Sequence, residues 1–563
     1  MTEQALTVAR VPIVATLRGY RRSFVRPDLV TGLVLATMLV PQGMAYAELT
    51  GLPAVTGIYT TIAALVAYSV FGPNRRLMLG PDSSLAPVIA AVVLPLAAGS
   101  ASEAVALASA MSLMAGVVCI VSGLLNFGVV TELLSKPIRI GYLNGIAVLI
   151  FVSQVPKAMG FSVESESTLD LIGDILGAIS DSSVVSTALL LSAAGVVTIL
   201  VLNRLSRFRP GVLVAAVGSI AAVLVFDLAV EVVGEVPSGL PPLTWPEIDW
   251  DFLPELLGGA LAVALVSFAD TGALSTATAL RSGEKVDPNS EIKALGAANL
   301  VSGLFQGFAT SASSSRTAVA MAVGSRTQVA GLVAALGVLG IIAFVPGLVS
   351  EMPAPTLAAI VITASFALFD WGGWMWLLRA RRSEFLLSLA TALAVLLIGV
   401  LEGIGVAIVL SLVNFIRKAW RPHSAELGRV PGLPGYHDRE RHPEAELIDG
   451  LLIVRYDAPL FFANAPDFGR RLQERLRVAD RQIETVVVVG NAITDIDTTG
   501  CEILRDILED LDEKNVRFAF AGLKGLVKDR LRAYGLYDRI GDDNFFGNTI
   551  AAVEDHRARA TGS

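Results

Sequence analysis

The sequence predicts an all-α membrane domain of about fourteen spans followed by a small α/β domain, and three observations carry that prediction. The chain of 563 residues is 53% hydrophobic and only 17% charged, with a mean hydropathy of +0.64, which is too apolar for a soluble protein of ordinary composition. Apolar stretches long enough to cross a bilayer recur through residues 29–416. Beyond Pro422 the composition turns charged and polar, and strand patterns alternate with helix patterns.

A spanning helix needs roughly 20 apolar residues, and lipid admits only helices or closed barrels. Barrel strands would alternate, and these runs do not. They lie near 29–49, 53–71, 82–98, 105–127, 137–156, 184–203, 210–228, 255–279, 293–306, 315–324, 328–349, 354–369, 384–401 and 403–416. The stretches after Pro81 and at 313–324 are short or begin in polar sequence, as the discontinuous helices of transporters do. They stand third and tenth, which predicts two repeats of seven spans. An odd number of spans per repeat inverts the second against the first.

Cytoplasmic connections should be rich in Lys and Arg. With the N-terminus inside, they carry Arg75, Arg76, Lys136, Arg139, Arg204, Arg207, Arg209, Arg281, Lys285, Arg326, Arg379, Arg381 and Arg382, and the tail adds Arg417, Lys418 and Arg421. The opposite connections are almost free of positive charge, and 229–253 holds Glu231, Glu235, Glu247, Asp249 and Asp251. Lys157 is the main exception. Residues 1–28 carry Arg10, Arg18, Arg21, Arg22 and Arg26 without a cleavage pattern, so they read as a retained cytoplasmic segment. The membrane domain is expected over 29–421.

The Pro/Gly-rich stretch VPGLPGYHDRERHPEAE reads as part of a linker over 422–447. In the following domain, 448–563, strands are predicted at 450–461, 484–490 and 516–521, with helices at 465–479, 500–514 and 524–534. Such alternation argues a mixed or parallel sheet.

The formal charge of -8 is unevenly placed and gives a nucleic-acid role no support. Cys119 lies in a span and Cys501 in the polar domain, so they are poor candidates for pairing. All four histidines follow the last span, which removes haem ligation and His-based metal sites from the membrane domain. No cofactor and no metal is expected. The sequence has no GxxxxGK[ST] loop, which argues against a self-contained ATP-driven pump.

Chemistry is therefore sought inside the spans. The first contains VPQGMAYAELTGLP, where Pro41 and Gly43 interrupt a helix bearing Gln42 and Tyr46. It is either a proline kink lined by packing residues or a broken helix whose freed groups face a solute. Glu48, nearer the outer end, reads as interfacial. The third span opens with LMLGPDSSLAP, in which Gly80 and Pro81 stop an extended piece and Asp82, Ser83 and Ser84 start a helix. Its unpaired N–H groups and positive dipole end would attract an anion. Asp82 is either an N-cap acid or a second protonatable group.

The tenth span opens with TSASSSRTAVA and ends that hydroxyl run in Arg316. An arginine in lipid must be paired or face water, which marks it as functional unless it serves a purely structural pair. Repeat symmetry sets this helix start opposite the one after Pro81, so both positive ends and Arg316 would make an anion site near the midplane. Asp270, in SFADTGALSTATAL, is the eighth span's one carboxylate. It is either salt-bridged to Arg316 or a coupling group for protons or sodium. In the second domain, NAITDIDTTGCEIL puts Thr498 and Thr499 at a strand-to-helix junction, as plain capping sequence or as phosphorylatable hydroxyls.

These residues resemble the sulfate permeases, the SulP group of anion transporters. PQGMAYA at Pro41–Ala47 and LTGLPAVTGIY at Leu49–Tyr59 look like the family's first-span signature. DPNSEIKALGAANLVSGLFQGF at Asp287–Phe308 and SSSRTAV at Ser313–Val319 look like its ninth and tenth spans. The C-terminal domain resembles a STAS domain, similar to anti-sigma-factor antagonists, and the whole resemblance runs from about residue 20 to 555.

The resemblance implies a UraA-like fold of two inverted seven-helix repeats, divided into core and gate domains, which works as a homodimer by elevator-like movement. It implies a bacterial inner membrane location with both termini cytoplasmic. Its anion site would be formed by Gln42, Tyr46, the start of the third helix at Asp82 and Ser83, Ser315 and Arg316. Asp270 falls where relatives carry the acid linked to cation coupling. Sodium-coupled relatives tend to place a threonine one turn beyond that acid, and Leu274 stands there in this chain, which favours protons. Asp82 departs from the apolar residue common in animal relatives.

The implied function is secondary transport of sulfate with protons, and bicarbonate or chloride exchange is the nearest rival. A membrane-anchored STAS signalling protein is the rival of a different class. Arg316 and Asp270 speak against it, because an anchor needs neither. Membrane lipids and an unidentified cytoplasmic partner of the STAS domain complete the expected partners.

Overall fold

The computed structural model describes residues 12–127, 135–163, 168–181, 184–205, 210–234, 239, 241–282 and 284–561. Arg10, Arg207, Arg209 and Glu235, and the side chain of Arg281, lie outside the described residues. The chain divides into two compact units between Ser411 and Leu412.

The first unit is helical. A short α1 (Pro12–Arg18) precedes the first repeat, whose spans are α2 (Arg22–Leu49), α3 (Ala54–Phe71), α4 (Ala86–Ala97), α5 (Ala101–Leu124), α6 (Lys136–Met159), α8 (Ser186–Leu205) and α9 (Gly211–Phe226). The second repeat runs through α10 (Leu253–Ser282), α11 (Pro288–Leu304), α12 (Ser314–Val323), α13 (Val329–Phe344), α15 (Ala354–Leu368), α17 (Arg382–Leu397) and α18 (Val400–Trp420). Every apolar stretch read from the sequence is one of these helices. Among the described residues, eight helices are long and apolar enough to cross a membrane, and α4, α9 and α13 are shorter apolar helices.

Besides α1, three further helices described in the first unit have no counterpart in the expectations. The five-residue α14 (Pro346–Ser350) follows α13. The helices α7 (Thr168–Ser180) and α16 (Trp371–Ala380) each follow the fifth span of a repeat. In α7 the exposed Leu169, Ile172, Leu176 and Ile179 share one face, an amphipathic pattern too short to register as a span. The equivalent placement of α7 and α16 is a second mark of the repeat.

The extended piece expected before the third span is present, and a second one precedes the tenth. β1 (Leu79–Gly80) pairs antiparallel with β2 (Ser311–Ala312), in the register Leu79 to Ala312 and Gly80 to Ser311. Non-helical backbone at membrane depth needs internal partners, and polar side chains from the neighbouring helices supply them. The Asn299 amide oxygen accepts from the Thr310 N–H at 2.7 Å, and the Thr60 hydroxyl accepts from the Phe308 N–H at 3.0 Å. Thr271 accepts from the Ala312 N–H at 3.2 Å, and Thr317 from the Met78 N–H at 3.1 Å. Gln328 donates to the carbonyls of Asn74 and Leu77.

Asp28, which the sequence reading leaves in the cytoplasmic segment, lies inside α2 and is fully buried. Its carboxylate accepts from the N–H groups of Arg326 (2.7 Å) and Thr327 (3.2 Å) and from the Thr327 hydroxyl (2.6 Å). It holds the turn between α12 and α13. Bonds of this charge-assisted kind contribute about 1.5–3 kcal/mol each.

The second unit has a six-stranded sheet in the order β4-β3-β5-β6-β7-β8. Its strands are β3 (Ser424–Gly428), β4 (His437–Asp438), β5 (Gly450–Tyr456), β6 (Ile483–Val489), β7 (Arg517–Ala521) and β8 (Phe545–Phe546). The pairs β5/β6, β6/β7 and β7/β8 are parallel, and the β3 pairings are antiparallel. Helices α19 (Ala465–Val478), α20 (Thr498–Glu513), α21 (Gly525–Ala533), α22 (Tyr537–Ile540) and α23 (Thr549–Thr561) complete it. The expected linker thus carries two strands of the sheet: Ala425 and Leu427 alternate into the core while Glu426 points aside. Both cysteines are free and buried, and burial pushes the Cys501 thiol up to about 11.

Candidate anion site

The antiparallel β1/β2 pair makes the start of α4 and the start of α12 meet at one depth. The Ser313 N–H donates to the Met78 carbonyl at 3.1 Å. Gly80 lies under the Arg316 guanidinium, where a Cβ would collide with Nη1. Arg316 is 2% exposed; it donates to the Pro81 carbonyl and lies 3.7 Å from the Asp82 carboxylate. Its Nε has no hydrogen-bond partner among the described residues.

Asp82 caps the turn that leads into α4. Its Oδ1 accepts from the Ser84 N–H at 3.0 Å and from the Ser84 hydroxyl at 2.8 Å. The start of α12 differs, because Ser313 makes no side-chain cap and instead shares a 3.1 Å hydroxyl contact with Ser315. Its first-turn amides, orphaned by helix geometry, stay free of a side-chain cap.

Gln42 and Tyr46 reach the same place from α2. That helix is unbroken from Arg22 to Leu49, with Pro41 inside it, so a continuous helix replaces the broken-helix reading. Neighbouring helices stabilise such a proline in a membrane. The support comes from α3, which crosses so closely that a Cβ on Gly57 would collide with the Gly43 carbonyl. Small residues permit this approach. The amide oxygen of Gln42 is buried without a partner among the described residues.

Gln42, Tyr46, Asp82, Ser83 and Ser315 together line a cavity of about 400 Å³. Asn203 of α8, Val212 of α9 and Thr363 of α15 form the facing wall. Arg316 lies behind the lining, on Asp82. The cavity thus draws its lining from α2 and α12 as well as from α8, α9 and α15.

Asp270 stands one residue removed from this wall. Its Oδ2 is 3.0 Å from the Ser84 hydroxyl. The expected alternative of an Asp270 to Arg316 salt bridge gives way to the Arg316 to Asp82 pair, because Arg316 is anchored on the Pro81 carbonyl beside Asp82. Ser84 is the site residue that sequence reasoning missed. Its one proton lies between two carboxyl groups, 2.8 Å from Asp82 and 3.0 Å from Asp270. A hydroxyl donates once, so both contacts are full hydrogen bonds only when one carboxyl group brings a proton. Of the two, Asp82 is the one that faces Arg316.

Glu48 pairs with Lys157 at 3.4 Å, linking α2 to α6. That contact accounts for the one lysine against the charge pattern. In the second unit Asp497 caps α20, accepting from the Gly500 N–H at 2.7 Å. Thr498 is exposed with its hydroxyl 3.0 Å from that of Tyr534, while Thr499 is half-buried.

The sequence model of the sulfate permease family matches residues 25–391, and that of the STAS domain matches residues 442–555. A probable sulfate transporter, MT1781 of Mycobacterium tuberculosis strain CDC 1551, is 37% identical over 554 residues, covering 97% of this chain and 98% of its own length. Probable sulfate transporter 4.2 of Arabidopsis thaliana is 29% identical, covering 96% of this chain and 83% of its own. The structure of SLC26A9 superposes with a TM-score of 0.88 at 20% identity, over 98% of this chain and 93% of that one. The transmembrane domain of the cyanobacterial bicarbonate transporter BicA gives 0.60 at 24% identity, over 70% of this chain and 98% of its own. At these identities the two structures speak for the fold.

Proposed function

Since the chain belongs to the sulfate permease family and is a multi-pass membrane anion transporter, we propose that it carries sulfate together with protons by an elevator-like movement. The observation that carries the proposal is the buried Arg316 behind a cavity where two helix starts meet, paired with Asp82 in the cavity wall. A tetrahedral dianion fits such a site: the first-turn amides of α12, the hydroxyl of Ser315 and the amide of Gln42 offer donors, and Arg316 supplies charge. The relatives named as sulfate transporters support sulfate as the anion. Asp270 is the coupling group in this reading, with Ser84 as the residue that positions its proton.

The anion site lies among α2, α4 and α12, which belong to the moving core of an elevator, against α8, α9 and α15 of the gate. The protein acts as a homodimer in a bacterial inner membrane, with both termini cytoplasmic. The deciding experiment is uptake of labelled sulfate, bicarbonate and chloride into proteoliposomes, each with and without a pH gradient. Bicarbonate or chloride uptake that exceeds sulfate uptake and ignores the gradient would replace this reading with exchange.

The Glu48 to Lys157 contact supplies a direct test of movement. Cysteines at both positions, joined by a short cleavable thiol crosslinker, should abolish uptake, and cleavage of the linker should restore it. Full uptake by the crosslinked protein would mean that α2 does not move past α6.

Regulation is assigned to Thr498 in preference to Thr499. A phosphate on the exposed Thr498 would sit at the start of α20, near Arg530, which pairs with Asp495 and donates to the Ile496 carbonyl at 3.3 Å. At equal protein levels, Thr498→Asp should change cellular sulfate uptake severalfold against Thr498→Ala. Equal uptake in both variants excludes the switch.

A further inference from the structure

A cavity of about 680 Å³ lies in the second unit. It is lined by Arg421, Arg439, Arg470, Arg471, Arg475 and Arg481, six guanidinium groups against four carboxylates. Neither the transport chemistry nor the α20 junction uses any of them.

The pairing inside the cavity is lopsided. Asp467, 4% exposed, is divided between Arg470 at 2.9 Å and Arg471 at 2.7 Å. Glu426 is divided between Arg439 at 3.3 Å and Arg481 at 3.2 Å. Two acids thus orient four arginines. Arg475 is held by neutral groups, donating to the Ser424 hydroxyl at 2.6 Å and the Ser424 carbonyl at 2.8 Å. It also follows Arg471 by one helical turn, a spacing at which like charges repel. The buried Nε of Arg481 has no acceptor among the described residues. A network made only for stability would match its charges one to one, whereas this one is pre-oriented and two positive charges in excess.

We infer that this cavity binds a phosphate-bearing dianion, and that the guanidinium groups of Arg470, Arg471 and Arg475 are its main contacts. Planar guanidinium forks match phosphate oxygens in pairs, which an ammonium group does not. The volume exceeds that of a bare phosphate and lies in the range of small-molecule sites. The ligand's source is either a soluble phosphorylated compound or a phospholipid headgroup.

Pyrophosphate is the probe. It is titrated calorimetrically into the full-length protein in phosphatidylcholine nanodiscs, with sulfate saturating the transport site. Saturable binding is expected, weakened about tenfold by Arg470→Gln and by Arg475→Gln, since each removes a charge-assisted contact. Arg470 is 64% exposed, so its replacement leaves the fold intact. Arg505→Gln, outside the cavity on α20, should change nothing. A second series uses nanodiscs containing phosphatidylglycerol: suppressed pyrophosphate binding there identifies the headgroup as the source, and unchanged binding identifies a soluble ligand. Absence of saturable binding, equal affinity in parent and Arg470→Gln, or an equal loss in Arg505→Gln overturns the inference.

Discussion

Replacing Arg316 by Gln is expected to weaken sulfate binding by about 10²–10³-fold, and replacing it by Lys by about tenfold. Removing one partner of a buried ion pair typically costs about 3–5 kcal/mol, because the other charge is left buried and unmatched. Here the stranded charge is Asp82, 3.7 Å from the guanidinium and part of the cavity wall. A bare carboxylate in that wall also repels the incoming dianion, so the two penalties act together. Lysine keeps the charge but loses the planar fork that reaches the Pro81 carbonyl and Asp82 at once. The double variant Arg316→Gln with Asp82→Asn should therefore bind better than Arg316→Gln alone. Sulfate affinity of the purified variants, measured by isothermal titration, checks both orders. Parent-like affinity in Arg316→Gln, or no recovery in the double variant, would move the anion site elsewhere.

The same pair marks where sequence reading reached and where it stopped. The short helices after Pro81 and Ser313 are legible because proline, glycine and a run of hydroxyls interrupt long apolar sequence, and the composition break after Pro422 is equally local. Partner choice is not local. Arg316 and Asp82 are brought together by a two-residue strand pair joining Gly80 to Ser311, which no periodicity announces. Ser84 reads as one more small residue in a helix start, and only the approach of α10 makes it a bridge to Asp270. The partners of Asp28 and Lys157 stay out of sight for the same reason. A charged residue near a helix end looks interfacial until its partner, far along the chain, is known. The strands at Ser424–Gly428 and His437–Asp438 were hidden by the glycines and prolines between them, because turn chemistry marks a hairpin as readily as a linker.

Uptake by the parent protein should rise as external pH falls, and Asp270→Asn should abolish pH-driven accumulation while leaving sulfate counterflow in place. The argument starts from the Ser84 hydroxyl, whose single proton serves two carboxyl groups 2.8 and 3.0 Å away. Without an anion, Arg316 faces Asp82 at 3.7 Å. A sulfate dianion entering beside Ser315 and Asp82 shares that guanidinium and repels both carboxylates, so proton uptake becomes more favourable when the anion arrives. Asp270 has Asp82 and Arg139 as the charges acting on it, with Tyr142 also nearby. It is the carboxyl group that Arg316 does not claim. Linkage makes the help reciprocal: if sulfate favours protonation of Asp270, protonation of Asp270 raises sulfate affinity by the same factor. Acidic pH outside therefore loads anion and proton together, and the higher pH inside releases both. Asparagine mimics the protonated form, so Asp270→Asn binds and exchanges sulfate but carries no proton and cannot accumulate it. Ser84→Ala removes the bridge and keeps both carboxyl groups, so it should displace the midpoint of the pH profile without abolishing accumulation. Both are read from sulfate uptake and counterflow in proteoliposomes across a series of external pH values. Accumulation by Asp270→Asn under a pH gradient, or a parent that responds to sodium and not to pH, would remove Asp270 as the proton site.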